Sequence, residues 1–169
     1  MIVKYAKDVR YSEENITTHC GMSLEAMNTI VLGDLEDKSN YYDVVGIDEG
    51  QFFPDTVPWA EEMANRGKIV VVAALDGTFQ RKPFGNILSL IPLAENVTKL
   101  NAVCMKCFGD AAFSKRIKPE DGEMLEVIGG TEKYMAVCRI CYLGNVTVLA
   151  SPLYPLKRKM GNNCDEDDN

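Results

Sequence analysis

Two apolar runs with a helical segment between them constrain this chain more than any other feature. The first, Val44, Val45, Gly46 and Ile47, is short and rich in β-branched residues, the pattern of a central parallel strand. The second, residues 69–75 (IVVVAAL), is also apolar and continuous. Between them, Pro54 and Asp55 start a turn and Pro58 suits the first turn of a helix. Trp59 and Met63 lie four apart on one helical face, and Ala60 and Ala64 repeat that spacing beside them. Arg66 fits the last turn and Gly67 ends it. Strand, helix and strand in this order predict a right-handed parallel crossover.

Both runs deliver polar residues at the same end. The first runs into Asp48 and Glu49, the second into Asp76 and Gly77. Open α/β sheets bind ligands just beyond the carboxyl ends of their strands. A carboxylate placed at the edge of a core without a partner is costly. An apolar strand ending in Asp-Glu is therefore a candidate metal-and-base site of the kind that holds Mg²⁺ in nucleotide-binding proteins. The same two residues also suit a solvated acidic turn.

Around this unit, residues 2–5 predict a short strand and 7–12 a polar loop. Residues 23–30 predict a helix capped by Ser23, with Leu24, Met27 and Val31 at helical spacing. Residues 33–40 predict a polar connection. Residues 78–85 (TFQRKPFG) form a polar loop with two aromatics and two cations, either a surface loop or a substrate loop. Residues 86–100 predict a helical segment broken or entered at Pro92. With 169 residues the chain is long enough for one domain with a real core, or for a core plus a small appendage. Its net charge of −7 argues against broad binding to nucleic acid or anionic membranes. No run is long and apolar enough for a membrane span. The opening residues MIVKYAKD do not make a signal peptide. Cysteines are therefore read as thiols or metal ligands of a reducing, cytoplasmic compartment.

Cys104-Met-Lys-Cys107 and Cys138-Arg-Ile-Cys141 are two CxxC pairs. Each pair puts two thiolates on one metal, and two pairs make a tetrahedral four-cysteine zinc site, read here as structural. The gap between them exceeds the commonest zinc-ribbon spacing and implies an inserted loop over 108–137. Two redox pairs or buried thiols are the alternatives. His19, Cys20 and Cys164 stand apart from this pattern. Within the insertion, 125–134 (LEVIGGTEKY) brings a short apolar stretch to two glycines and a tyrosine, which suits either a hairpin turn or close approach of a ligand to the main chain.

The runs KYAKDVRYS, GIDEGQFFPD, AALDGTFQRKPFG, CMKCF, EVIGGTEKY and CRICY, in that order, resemble the cytosolic thymidine kinase family that carries a zinc-bearing lasso domain. The resemblance runs over roughly residues 2–143. It implies Glu49 as the general base toward the deoxyribose 5′-hydroxyl and Asp48 as the carboxylate that orients Mg²⁺. It places Asp8, Val9 and Arg10, with Asp48, Glu49, Gly50 and Gln51, near ATP and its phosphates. Phe52, Leu75, Phe79 and Phe84 would surround the nucleoside. Leu125, Glu126, Val127, Ile128, Gly129 and Tyr134 would form the lasso that grips thymine. Cys104, Cys107, Cys138 and Cys141 would hold the zinc. The implied partners are thymidine and ATP, in a homotetramer, with no nucleic acid and no membrane.

The implied fold is an α/β, RecA-like parallel-sheet core of the P-loop type with a small zinc-ribbon lasso domain. Its phosphate loop is expected to be missing, because no Gly-x-x-x-x-Gly-Lys-Ser/Thr occurs in these residues, and so is its first strand, because the match opens on the family's second strand. Open strand edges and uncovered apolar surface are expected in consequence. The expected boundaries are 1–103 for the kinase core, 104–143 for the lasso domain and 144–169 for a disordered tail. The leading function is phosphorylation of thymidine. The alternative is a truncated, catalytically impaired variant that binds nucleoside or joins family oligomers.

Overall fold

A computed structural model of the chain describes residues 1–7, 15–17, 23–117 and 133–144. The described residues fall into two compact units, one ending at Thr98 and the other starting at Lys99. The expected tail beyond residue 144 lies outside the described residues.

The first unit is built on a four-stranded sheet. Its strands are β1 (Ile2–Tyr5), β4 (Met27–Thr29), β5 (Val44–Ile47) and β6 (Ile69–Val72), in the order β4-β1-β5-β6. Every neighbouring pair is parallel, with Val3 opposite both Met27 and Ile47, and Val45 opposite Val70. The strands β2 (Asn15–Thr17) and β3 (Ser23–Glu25) pair separately and antiparallel. The crossover from β5 to β6 runs through helix α2 (Thr56–Asn65), as the sequence predicts. Trp59, Ala60 and Met63 are its buried face, whereas Ala64 is exposed. The helix stops at Gly67, whose φ of +83° is the left-handed conformation a glycine tolerates best.

One core forms where these elements meet: Val3, Tyr5, Leu32, Leu35, Val45, Ile47, Phe53, Trp59 and Met63. β5 alternates within it. Val45 and Ile47 are buried, but Val44 is 48% exposed, so the strand is covered mainly on one face. β6 departs further from its predicted form. It stops at Val72, short of Leu75, and Ile69 and Val71 are 62% and 58% exposed. Among the described residues it pairs with β5 alone.

Three local expectations are corrected. Residues 23–30 are not a helix capped by Ser23 but belong to β3 and β4. The helical spacing of Leu24, Met27 and Val31 loses to the ladder that Met27 to Thr29 make with β1. Residues 33–40 are not a bare polar connection. A 3-10 turn at Leu32–Leu35 leads into α1 (Glu36–Ser39), because Leu32 and Leu35, three apart, both reach the core. The Asp55 carboxylate secures that turn by accepting the N–H groups of Leu32 and Gly33 at 3.1 and 2.8 Å. The segment at 86–100 is helical only as a 3-10 stretch, Ile87–Leu93, with Pro92 inside it.

The second unit is a pair of small antiparallel ladders. β7 (Ala102–Val103) pairs with β8 (Asp110–Ala111), and β9 (Phe113–Arg116) with β10 (Tyr134–Val137). A short helix, α3 (Arg139–Leu143), follows and ends at Gly144 with φ of +84°. Among the described residues of this unit, Cys104, Ala111 and Val137 are buried together. Lys115 reaches from β9 to the end of α3, donating to the Tyr142 carbonyl at 2.6 Å, and Arg139 lies over the Phe113 ring. No helix among the described residues is long and apolar enough to cross a membrane.

Candidate functional site

At the carboxyl end of β5 the chain turns on an acidic corner. Asp48 still belongs to the ladder, its N–H donating to Val3 O at 2.9 Å. Glu49 breaks away with φ +54° and ψ +40°, the left-handed region that non-glycine residues seldom occupy. Such a conformation costs about 1–3 kcal/mol and persists only where its surroundings fix it. Here they do. Gly50 N–H donates to Ala73 O at 2.9 Å, and the buried Thr56 hydroxyl donates to Gly50 O at 2.6 Å. A Cβ on Gly50 would lie 2.6 Å from Val72 Cγ1, so only glycine lets the corner approach β6 this closely. Gln51 completes the arrangement: its Nε2 donates to Glu49 Oε2 at 2.5 Å, and its Oε1 accepts Leu75 N–H at 3.0 Å.

The residues expected around the nucleoside distribute as follows. Phe52 and Phe84 come together edge to face, with ring centroids 5.5 Å apart. Phe52 also stacks on Tyr5, centroids 5.4 Å apart. Leu75 is joined to the acidic corner through its backbone. Phe79 is half-buried in the loop that follows β6. That loop is tightly wound: Gly77 bridges to Pro83, Thr78 N–H donates to Lys82 O at 2.9 Å, and Arg81 takes φ +61°. Tyr134 belongs to the second unit, where it opens β10 opposite Arg116. Asp8, Val9, Arg10, Leu125, Glu126, Val127, Ile128 and Gly129 lie outside the described residues.

Sequence reasoning passed over two contributors. Tyr5, read only as part of a strand, supplies the ring against Phe52. Thr56, lying between the Asp55 turn and Pro58, supplies the hydroxyl that holds Gly50. Neither carries a motif, and their roles follow from where β1 and α2 meet the corner.

The second unit holds the cysteine cluster. The four Sγ atoms of Cys104, Cys107, Cys138 and Cys141 lie within 4.8 Å of one another, a group that could hold a metal ion. The first pair closes a turn in which Phe108 N–H donates to Cys104 O at 2.8 Å and Phe108 takes φ +62°. The second pair wraps the start of α3, where Cys138 Sγ accepts Cys141 N–H at 3.4 Å. Across the pairs, Cys107 and Cys138 Sγ are 3.7 Å apart. Burial pushes the Cys141 thiol up to about 12, with hydrogen bonds from the neighbouring cysteines and the charge of Cys104 adding to it. Burial acts on Cys104 in the same direction, but the backbone N–H groups of Cys138, Cys107 and Lys106 outweigh it and bring that thiol down to about 6. Four thiols this close cannot all ionise against one another, and a bound cation removes that obstacle.

Comparison with known proteins identifies the family. The sequence model of a family described as thymidine kinase matches residues 1–142. The thymidine kinase of Myxoma virus (strain Lausanne) is 58% identical over 142 residues, covering 84% of this chain and 78% of the viral protein. The cytosolic thymidine kinase of Homo sapiens is 56% identical over the same length, covering 84% of this chain and 59% of the human one. The cytosolic enzyme of Gallus gallus is 55% identical, with 62% of its length covered. A match this long, spanning both the acidic corner and the four cysteines, makes the chain a member of the thymidine kinase family.

Proposed function

We propose that the chain phosphorylates thymidine, moving the γ-phosphate of ATP to the deoxyribose 5′-hydroxyl to give dTMP. The observation that carries this reading is Glu49, held in a strained left-handed corner at the carboxyl end of a central parallel strand. Phosphoryl transfer asks little covalent chemistry of a protein. It needs reactants held in line, the phosphate charge neutralised and a base beside the attacking hydroxyl. Glu49 takes the hydroxyl proton. Asp48, one residue earlier, would orient Mg²⁺, which would neutralise phosphate charge when bound. Phe52 and Phe84, with Leu75 and Phe79, offer the apolar wall for a base and sugar. Asp8, Val9, Arg10 and the segment from Leu125 to Gly129, with Tyr134, keep the nucleotide and thymine roles that the resemblance gives them. Family membership across residues 1–142 favours catalysis over the impaired, merely binding variant.

Zinc suits the cysteine cluster. Four sulfurs at Zn–S distances of about 2.3 Å stand about 3.8 Å apart at the corners of a tetrahedron, close to the 3.7 Å between Cys107 and Cys138. With no open position left for water, such an ion holds the fold and takes no part in the transfer. The reading extends to a cytoplasmic homotetramer that acts on free nucleoside rather than nucleic acid.

The test is a coupled assay with thymidine and Mg-ATP. Turnover is expected, and Glu49→Gln should lower kcat by about 100-fold or more while thymidine binding survives. Absent turnover in the wild-type chain, or full activity in the variant, removes Glu49 from this role.

A further inference from the structure

We propose that Gln51 is a positioning residue: it sets the Glu49 carboxylate and ties it to the end of β6, and does not serve as a nucleotide contact. The inference rests on Glu49 acting as the base. Its geometry stands on three features of one side chain. Gln51 is 8% exposed. Its Nε2 faces Glu49 Oε2 and its Oε1 faces Leu75 N–H. A backbone N–H only donates and an ionised carboxylate only accepts, so these two partners fix which way the amide sits. Turning it over would set N–H against N–H and oxygen against carboxylate at once. The buried amide therefore has one orientation, and that orientation presents a donor to Glu49.

The placement explains why the corner is built as it is. Gly50 donates to Ala73 and Gln51 accepts from Leu75, so adjacent residues of the corner grip alternate residues just past β6. Leu75 is itself among the residues expected against the nucleoside. A single side chain thus couples the attitude of the base to the position of a substrate wall 24 residues further on. An error of about 1 Å in such an arrangement costs about 100-fold in rate. Loss of Gln51 should accordingly be felt in kcat, whereas loss of a nucleotide contact would be felt in the KM for ATP.

Two variants of the full chain test this. Gln51→Met keeps the length and removes both hydrogen bonds. Gln51→Glu keeps the shape and an oxygen for Leu75 but sets a carboxylate against Glu49. Both should lose about 10- to 100-fold in kcat with the KM for ATP within about twofold of wild type. A KM for ATP raised about tenfold with kcat retained would overturn the proposal and make Gln51 a nucleotide contact. A second readout needs no turnover. In ¹⁵N-labelled protein the Gln51 carboxamide signals should move in Glu49→Ala, and the Leu75 N–H should exchange faster in Gln51→Met but not in Gln51→Glu. If the wild type does not phosphorylate thymidine, the base reading fails, and these signals alone judge the linkage. Carboxamide and Leu75 signals that ignore the substitutions overturn it. Should Gln51→Met not fold, Gln51→Glu still gives the kinetic comparison and Glu49→Ala the spectroscopic one.

Discussion

Among the described residues, the first unit gathers nine buried apolar side chains in one cluster around a parallel sheet, while the second gathers three buried residues, one of them the ligand candidate Cys104. At about 25 cal/mol per Å² of apolar surface, the larger of these two described clusters contributes much more by burial than the smaller. Units with little burial depend on a staple, and the described residues of the second offer one in the cluster of four thiols. The difference separates what each unit's special residues do. In the first, burial supplies stability, so the corner can hold Glu49 in a strained conformation. In the second, four cysteines that could hold a metal ion lie beside the small cluster of buried residues. Cations also work differently in the two: Lys115 caps α3 beside the cysteines, whereas Arg66 joins Glu36 and Glu62 on an exposed surface.

The comparison breaks first, if it breaks, at the metal. Structural zinc contributes on the order of 10–16 kcal/mol to the folding of small sites. Chelation, or Cys104→Ser, should remove one metal per chain and collapse the amide dispersion of the second unit, with the spectrum of the first unit retained. A second unit that stays folded without metal would mean that its packing suffices without the staple. Next in size, Phe53→Ala should destabilise the first unit by about 3–5 kcal/mol, read as a lowered urea midpoint, because Phe53 is fully buried and packs edge to face on Tyr5. Metal content should not change. Smallest is Arg66→Ala. The guanidinium is held above its ordinary range by hydrogen bonds to Glu36 and then Glu62, but it is exposed, so the urea midpoint should scarcely move and less still at high salt.

Much of the first unit was legible because its signals are local. Apolar runs, a helical spacing of four and a closing glycine each need only a few neighbouring residues, and β5 and α2 stand where they predict, while β6 starts at its predicted place and ends three residues early. The failures have a common cause. Residues 23–30 carry a helical spacing, yet β1 offers them a ladder, and the short apolar pattern fits both. The 3-10 turn at Leu32–Leu35 was missed because its two leucines are recognisable only once there is a core to receive them. The cysteine pairs were legible for the opposite reason: ligand spacing is itself a local rule, so no knowledge of the core was needed.

The amino-acid order alone determined the crossover, the composition of the acidic corner and the pairing of thiols within each CxxC. Only the tertiary structure decided that Glu49 sits in the left-handed region, that Gln51 reaches Leu75, and that Cys107 meets Cys138 at 3.7 Å. These last contacts join residues 24 and 31 positions apart, and their partners are chosen by the register of β6 on β5 and of β10 on β9. Periodicity sets which face of an element is apolar. It does not set which distant hydrogen-bonding groups that element will meet, because those are selected only when strands align and the core closes over them.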